Sequence, residues 1–158
     1  VQMILGEVFS LKMMCVELES EEKEEVLAEL VEIYVRRNPS AVRSQILATV
    51  MERESKMSTG FIKNVAVPHG RASCVEGIHG VIGVSHKGID FDSLDGEPTY
   101  LFFLLISSLG ENELHLRVLR RLTELLEKGS FYADLLQQKT EDGLYKVLCR
   151  YEDELVSV

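Results

Sequence analysis

His69 lies between Pro68 and Gly70, at the end of the short apolar run Val65-Ala66-Val67. Pro68 fixes the backbone on one side, and Gly70 keeps the other free of side-chain bulk. An imidazole held in that way projects from a strand end with little around it, the setting a nucleophile needs. Upstream, Arg53 falls on a helical stretch; downstream, His115 opens another. Acceptance of a phosphoryl group is a chemistry that would use all three. The attacking nitrogen must be unprotonated, and an imidazole near its reference pKa is largely neutral at cellular pH. The transition state spreads charge over the equatorial oxygens, so catalysis is mostly positioning and electrostatics. Arg53 suits those oxygens, because guanidinium stays charged and matches phosphate with paired donors.

His115 heads a stripe. Residues 118, 119, 122, 125 and 126 share its helical face, and all five are apolar. Near the positive end of a helix the ring is favoured neutral, or with a phosphate beside it. A polar ring on an apolar face needs a partner, and the end of a sheet strand is where one would wait. Taken singly, each residue also has an ordinary structural role. His69 reads as a turn residue, His115 as a core histidine, and Arg53, within Glu52-Arg53-Glu54, as part of a solvated helix face. His79 and His86 match no pattern and read as structural or exposed. The four histidines show neither H-x-x-x-H nor H-x-H spacing, so no metal is expected; without a P-loop or dinucleotide fingerprint, no cofactor is expected either.

The charge balance narrows the partners. Lys and Arg total 17 against 26 Asp and Glu, a net charge of -9. Nucleic acid and anionic membranes need a cationic footprint, so neither is expected as the main partner. Arg53, Lys63 and Arg71 are nevertheless available for a local basic patch. No apolar run is long enough to span a membrane, and Val1 to Met14, interrupted by Glu7 and lacking a basic leader, does not read as a signal peptide. Cys15, Cys74 and Cys149 are odd in number and far apart, which reads as reduced thiols in a cytoplasmic protein. With 158 residues and no linker or repeat, the span 1–158 is expected to form one domain.

The elements that must position these residues show in the periodicity. From Ser20, Val26, Leu27, Leu30, Ile33 and Tyr34 recur at helical spacing, with Glu21, Glu22, Glu24 and Glu25 at the start and Arg36 and Arg37 at the end. Asn38-Pro39 stops that helix, and Ser40 is placed to cap a second one running to about Glu54, with Val42, Ile46, Leu47 and Val50 as its buried stripe. The end of Leu11–Leu18, Val65–Val67, Gly80–Val84 and Tyr100–Ile106 read as strands. The last is apolar on both faces, like an interior strand covered by helices. Ile89-Asp90-Phe91 and the turn Leu94–Glu97 read as a small hairpin or edge strand. Leu119, Leu122, Leu125 and Leu126 lead to Gly129 as a helix-ending residue, and Ser130 and Thr140 cap two further helices. Helices before and after the strands predict an α/β fold: a single layered domain with a small mixed sheet flanked by helices on both faces.

The joint pattern resembles the enzyme IIA domain of the mannitol/fructose branch of the bacterial phosphotransferase system, with the nitrogen-regulatory members most similar. That family carries an Arg, a short spacer and an S-T-G-I-G-N-G-[IV]-A-[IV]-P-H-G run. Here Arg53 precedes Ser58-Thr59-Gly60 at the family's spacing, and Val65-Ala66-Val67-Pro68-His69-Gly70 matches the second half. Tyr100–Ile106 followed by Glu111–Leu116 is similar to the family's strand, loop and second histidine. The resemblance implies that His69 is phosphorylated, that Arg53 clamps the phosphate and that His115 orients or stabilises it. It also implies an HPr-like phosphodonor, and a IIB domain or a regulatory target as the next partner. Phe61-Ile62-Lys63-Asn64 departs from the family's I-G-N-G. Two glycines are gone, Asn64 tolerates the left-handed region better than most residues, Lys63 adds a cation, and Phe61 with Ile62 adds apolar surface.

Three functions are distinguishable on these residues. The first is a cytoplasmic phosphocarrier that takes a phosphoryl group from an HPr-like phosphohistidine protein in a regulatory, nitrogen-type branch. Its variant is a sugar-specific fructose/mannitol IIA that passes phosphate to a IIB cysteine. The second is a protein-binding module in which the altered loop has abolished transfer. The third, a hydrolase with His69 as general base, requires a nucleophile, for which Ser58 and Cys74 are the local candidates.

Overall fold

Along β5 (Thr99–Ser107), Leu101, Phe103 and Leu105 face one side while Phe102, Leu104 and Ile106 face the other, all without exposure. A strand apolar on both sides needs a layer on each. The computed structural model, which describes residues 3–157, supplies both. Val1 and Gln2 of the leading segment lie outside the described residues. In chain order come α1 (Leu5–Val8), a 3₁₀ turn (Leu11–Met13), β1 (Met14–Cys15), α2 (Lys23–Arg36), α3 (Arg43–Lys56), β2 (Val65–Ala66), β3 (His69–Arg71), β4 (Ile78–Ile89) and β5. Then follow α4 (Asn112–Leu126), α5 (Gly129–Leu136) and α6 (Glu141–Val156). The sheet runs β1-β4-β5-β2, and β3 also pairs with β5. β4 and β5 form an antiparallel hairpin; β1, β2 and β3 join it parallel.

Leu101, Phe103 and Leu105 pack with α1, α4, α5 and α6 through Phe9, Val118, Leu122, Phe131 and Leu148. Phe102, Leu104 and Ile106 pack with α2 and α3 through Leu27, Leu30, Ile46 and Val50. The layered α/β arrangement with helices on both faces of a mixed sheet is thus as the sequence predicts.

Several boundaries differ for local reasons. α2 starts at Lys23, where the Glu22 and Glu25 side chains bond each other's backbone N–H groups in a reciprocal box. Ser20 lies outside and donates its hydroxyl to Glu29 at 2.6 Å. α3 begins beyond Ser40, with Val42 at the cap position and no capping side chain; Val42 is 49% exposed and is not part of the buried stripe. Gly129 opens α5 instead of closing α4. Thr140 does cap α6, accepting from Gly143 N at 3.0 Å. Ile89 ends the long interior strand β4 opposite Thr99, and Phe91 is buried just beyond it, so this stretch is neither an edge strand nor a separate hairpin.

Candidate functional site

Pro68 has no N–H to give a ladder, and it separates β2 from β3. His69 therefore opens β3, whereas the apolar run before it predicts that it closes a strand. It stands beside Leu105 in register, while Arg71 stands beside Ser107. Gly70 acts differently from expectation. A Cβ there would lie 2.8 Å from Thr49 Cγ2 and 3.1 Å from Val50 N, so the glycine admits α3 against β3. That close crossing brings the end of α3, with Arg53, to His69.

The His69 ring is half-buried, and its Nδ1 is 2.9 Å from the Val67 carbonyl oxygen. A carbonyl only accepts, so Nδ1 carries the proton and Nε2 holds the lone pair. Burial is the main cause that lowers its pKa below the ordinary 6.5. The Arg53 and Arg71 cations push the same way, while the Val67 carbonyl and Glu54 oppose them. At neutral pH the ring is neutral, with its lone pair on Nε2.

His115 is 2% exposed, and its ring meets that of His69 at 5.4 Å between centroids, inclined 64°. Burial, then the His69 and Arg71 charges, lower its pKa to about 4. Its Nδ1 lies 3.0 Å from Ser107 Oγ at the end of β5. A strand-end partner is what the apolar stripe demands. Arg71 Nη1 donates to Asn112 Oδ1, tying the end of β3 to the first turn of α4.

Arg53 is half-buried in the last turn of α3, and its Nη1 donates to the Met57 carbonyl at 2.8 Å. Among the described residues its Nε and Nη2 groups have no protein partner, which leaves them for an anion. The neighbouring Glu54 is not a solvated residue: it is 5% exposed. It accepts from Thr59 N at 2.7 Å and Thr59 Oγ1 at 2.6 Å, with Lys23 Nζ at 3.4 Å. The loop after α3 is thereby fixed at both Met57 and Thr59. Asn64 takes the left-handed conformation at φ 63°, and its side chain donates to the Pro98 carbonyl at 2.7 Å. Phe61 is 54% exposed. Lys63 is exposed too, but the cations acting on His69 are Arg53 and Arg71.

The remaining candidates are engaged elsewhere. Ser58 Oγ donates to the Phe91 carbonyl at 3.0 Å and accepts from Gly60 N at 3.1 Å, and Cys74 Sγ accepts from Val42 N at 3.4 Å. Neither is paired with His69 as a hydrolase would require. His79 contacts Glu76 O and His86 contacts Val16 O, both away from the site. Ser107, Glu54, Asn112 and the Val67 carbonyl escape sequence reading. Each matters through a contact that residue type and periodicity do not specify, whether close in the chain, as for Val67 with His69, or far, as for Asn112 with Arg71. Only Ser107, a polar residue ending an apolar strand, leaves a trace.

The model of the family described as phosphoenolpyruvate-dependent sugar phosphotransferase system, EIIA 2, matches residues 7–151. The fructose-specific EIIABC component of Bacillus subtilis is 32% identical over 135 residues, covering 85% of this chain but only 21% of that protein's length. A nitrogen regulatory protein of Pseudomonas aeruginosa is 32% identical over 127 residues, 80% of this chain and 82% of that one. The crystal structure of nitrogen regulatory protein IIA-Ntr from Neisseria meningitidis superposes with a TM-score of 0.84 at 26% identity, covering 91% of this chain and 98% of that chain. With sequence and fold agreeing over most of its length, the chain belongs to the EIIA 2 family of the phosphoenolpyruvate-dependent sugar phosphotransferase system.

Proposed function

We propose that this chain is a phosphocarrier, accepting a phosphoryl group on Nε2 of His69 from the phosphohistidine of an HPr-like protein. The observation that carries the reading is the bond between His69 Nδ1 and the Val67 carbonyl, which leaves Nε2 with its lone pair. That pair attacks phosphorus as the bond from phosphorus to the donor imidazole breaks, and the freed electron pair stays on the donor ring. His69 keeps its Nδ1 proton, so the Val67 carbonyl faces the positive charge that the ring gains. The two unused donor groups of Arg53 serve the phosphoryl oxygens, and a neutral His115 adds no competing cation. A half-buried ring at a strand end suits an exchange with another protein's side chain.

We assign the nitrogen-regulatory branch, supported by the likeness to the Neisseria protein over nearly its whole length. The equal identity to the fructose-specific relative favours a second reading, in which phosphate passes to a IIB cysteine. On either, residues 1–158 act as one IIA-type domain in the cytoplasm, an assignment supported by three unbridged thiols. The test is intact-mass spectrometry after incubation with phosphoenolpyruvate, enzyme I and HPr. One phosphate adduct on the wild type and none on His69→Ala is the expected result, with Arg53→Ala slowed by ~10²–10³. No adduct on a folded wild type with an active donor system would sink the carrier reading and leave the protein-binding module.

A further inference from the structure

We infer that Ser107 is a positioning residue for phosphoryl transfer: by donating its hydroxyl proton to Nδ1 of His115, it holds that ring as the tautomer with the proton on Nε2. The inference rests on the phosphocarrier reading. Ser107 is fully buried, and among the described residues its Oγ has one partner, His115 Nδ1 at 3.0 Å. Two directions are available to that bond. If Nδ1 donated, the proton of this fully buried hydroxyl would have no acceptor among the described residues, which a buried group rarely tolerates. If the hydroxyl donates, its proton is placed and only oxygen lone pairs stay unused. The second direction therefore holds, and the ring proton belongs on Nε2.

The consequence appears beside His69. Both rings are held through Nδ1 but in opposite senses, His69 as donor to Val67 O and His115 as acceptor from Ser107 Oγ. One ring thus presents a lone pair at Nε2 and the other an N–H. A nucleophile and a hydrogen-bond donor are the pair an incoming phosphoryl group can use. With His115 reversed, two lone pairs would face the same anionic oxygens. The N–H of His115 stays intact throughout, donating to an oxygen while the new phosphorus–nitrogen bond forms at His69. Ser107 is well placed for this, because its position pairs with Arg71 on the strand that carries His69 and its carbonyl accepts from Ala72 N at 3.1 Å.

The experiment reads the tautomer apart from the chemistry. Long-range proton–nitrogen spectra of the ¹⁵N-labelled protein, without any donor, report which nitrogen of His115 bears the proton. A pyridine-like Nδ1 and pyrrole-like Nε2 are expected in the wild type. In Ser107→Ala the two forms mix or invert, and phosphate uptake at saturating HPr slows about tenfold, the size of one lost hydrogen bond, with the half-saturating HPr concentration unchanged. A wild-type His115 protonated on Nδ1 overturns the inference whether or not any variant folds. So does a folded Ser107→Ala variant with unaltered tautomer and rate. Absence of labelling on wild-type His69 is a separate failure, which removes the phosphocarrier reading and the role built on it while the tautomer is still read.

Discussion

A carbonyl, where many catalytic histidines have a carboxylate, holds the proton of His69. A carboxylate at Nδ1 would stabilise imidazolium and raise the pKa, whereas the Val67 carbonyl fixes the tautomer with a smaller electrostatic effect. Burial and two cations then keep the ring neutral. His115 carries the larger shift, and its sign has a thermodynamic consequence. Its pKa falls from 6.5 to about 4 on folding, under burial, His69 and Arg71. Below pH 6.5 the unfolded chain takes up a proton that the folded one refuses, so stability is full above 6.5 and lost as the pH falls to about 4. The loss amounts to about 3 kcal/mol. Denaturant unfolding of wild type and His115→Gln across that window should show the wild type losing this much more, with the two carrying a common carboxylate background. Parallel pH curves for the two proteins would contradict the assignment.

At the scale of elements, the site depends on how closely α3 lies on β3. Gly70 sets that distance, since even one methyl would meet Thr49 and the Val50 backbone. Gly70→Ala should destabilise the protein by about 1–3 kcal/mol through overpacking. Because Arg53 rides on the displaced helix, phosphate uptake should slow as well, even where the variant is fully folded. Melting curves and adduct kinetics on the same preparation separate the two effects, and unchanged kinetics would show that Arg53 is positioned independently of the crossing. Glu54 completes the positioning from the other side. Its carboxylate gathers Thr59 and Lys23, and Lys23 also lies over the Phe91 ring at 4.6 Å, so α2, α3 and the β4–β5 connection hold one loop together.

For the whole molecule, the joint between the two ends of the chain is a buried carboxylate. Glu152 of α6 is fully buried and accepts from Ile4 N at 2.8 Å, Leu5 N at 2.9 Å and Gly6 N at 3.2 Å, with Arg121 Nη1 of α4 at 2.9 Å. It caps α1, which carries Leu5 and Val8 into the same core as Val118 and Leu148. Glu152→Ala would remove the buried carboxylate that accepts from three backbone amides and pairs with Arg121 Nη1. A loss of about 3–5 kcal/mol is expected, measured by denaturant titration, with α1 amides exchanging faster than those of β5. Uniform exchange across both would show that α1 is not held by this contact.

Local chemistry explains what the sequence determined by itself. Helix and strand types, both faces of β5 and the stripe from His115 follow from periodicity, which each segment carries internally. The Arg53, His69 and His115 set follows from residue type read with a family pattern. Boundaries were less legible, because cap choices turn on small energies: the Glu22–Glu25 box opens α2 past Ser20, and α3 begins past Ser40 with no capping side chain. Only the tertiary structure decided that His69 begins a strand, that Gly70 serves α3, and that Glu54 and Glu152 are buried. The reason is common to all four: each depends on a contact between segments far apart in the chain. A carboxylate in a run of charges looks solvated until the fold brings amides and a cation to it. Ser107 lies between these cases. The stripe from His115 required a partner at a strand end, and the packing of α4 on β5 chose which one.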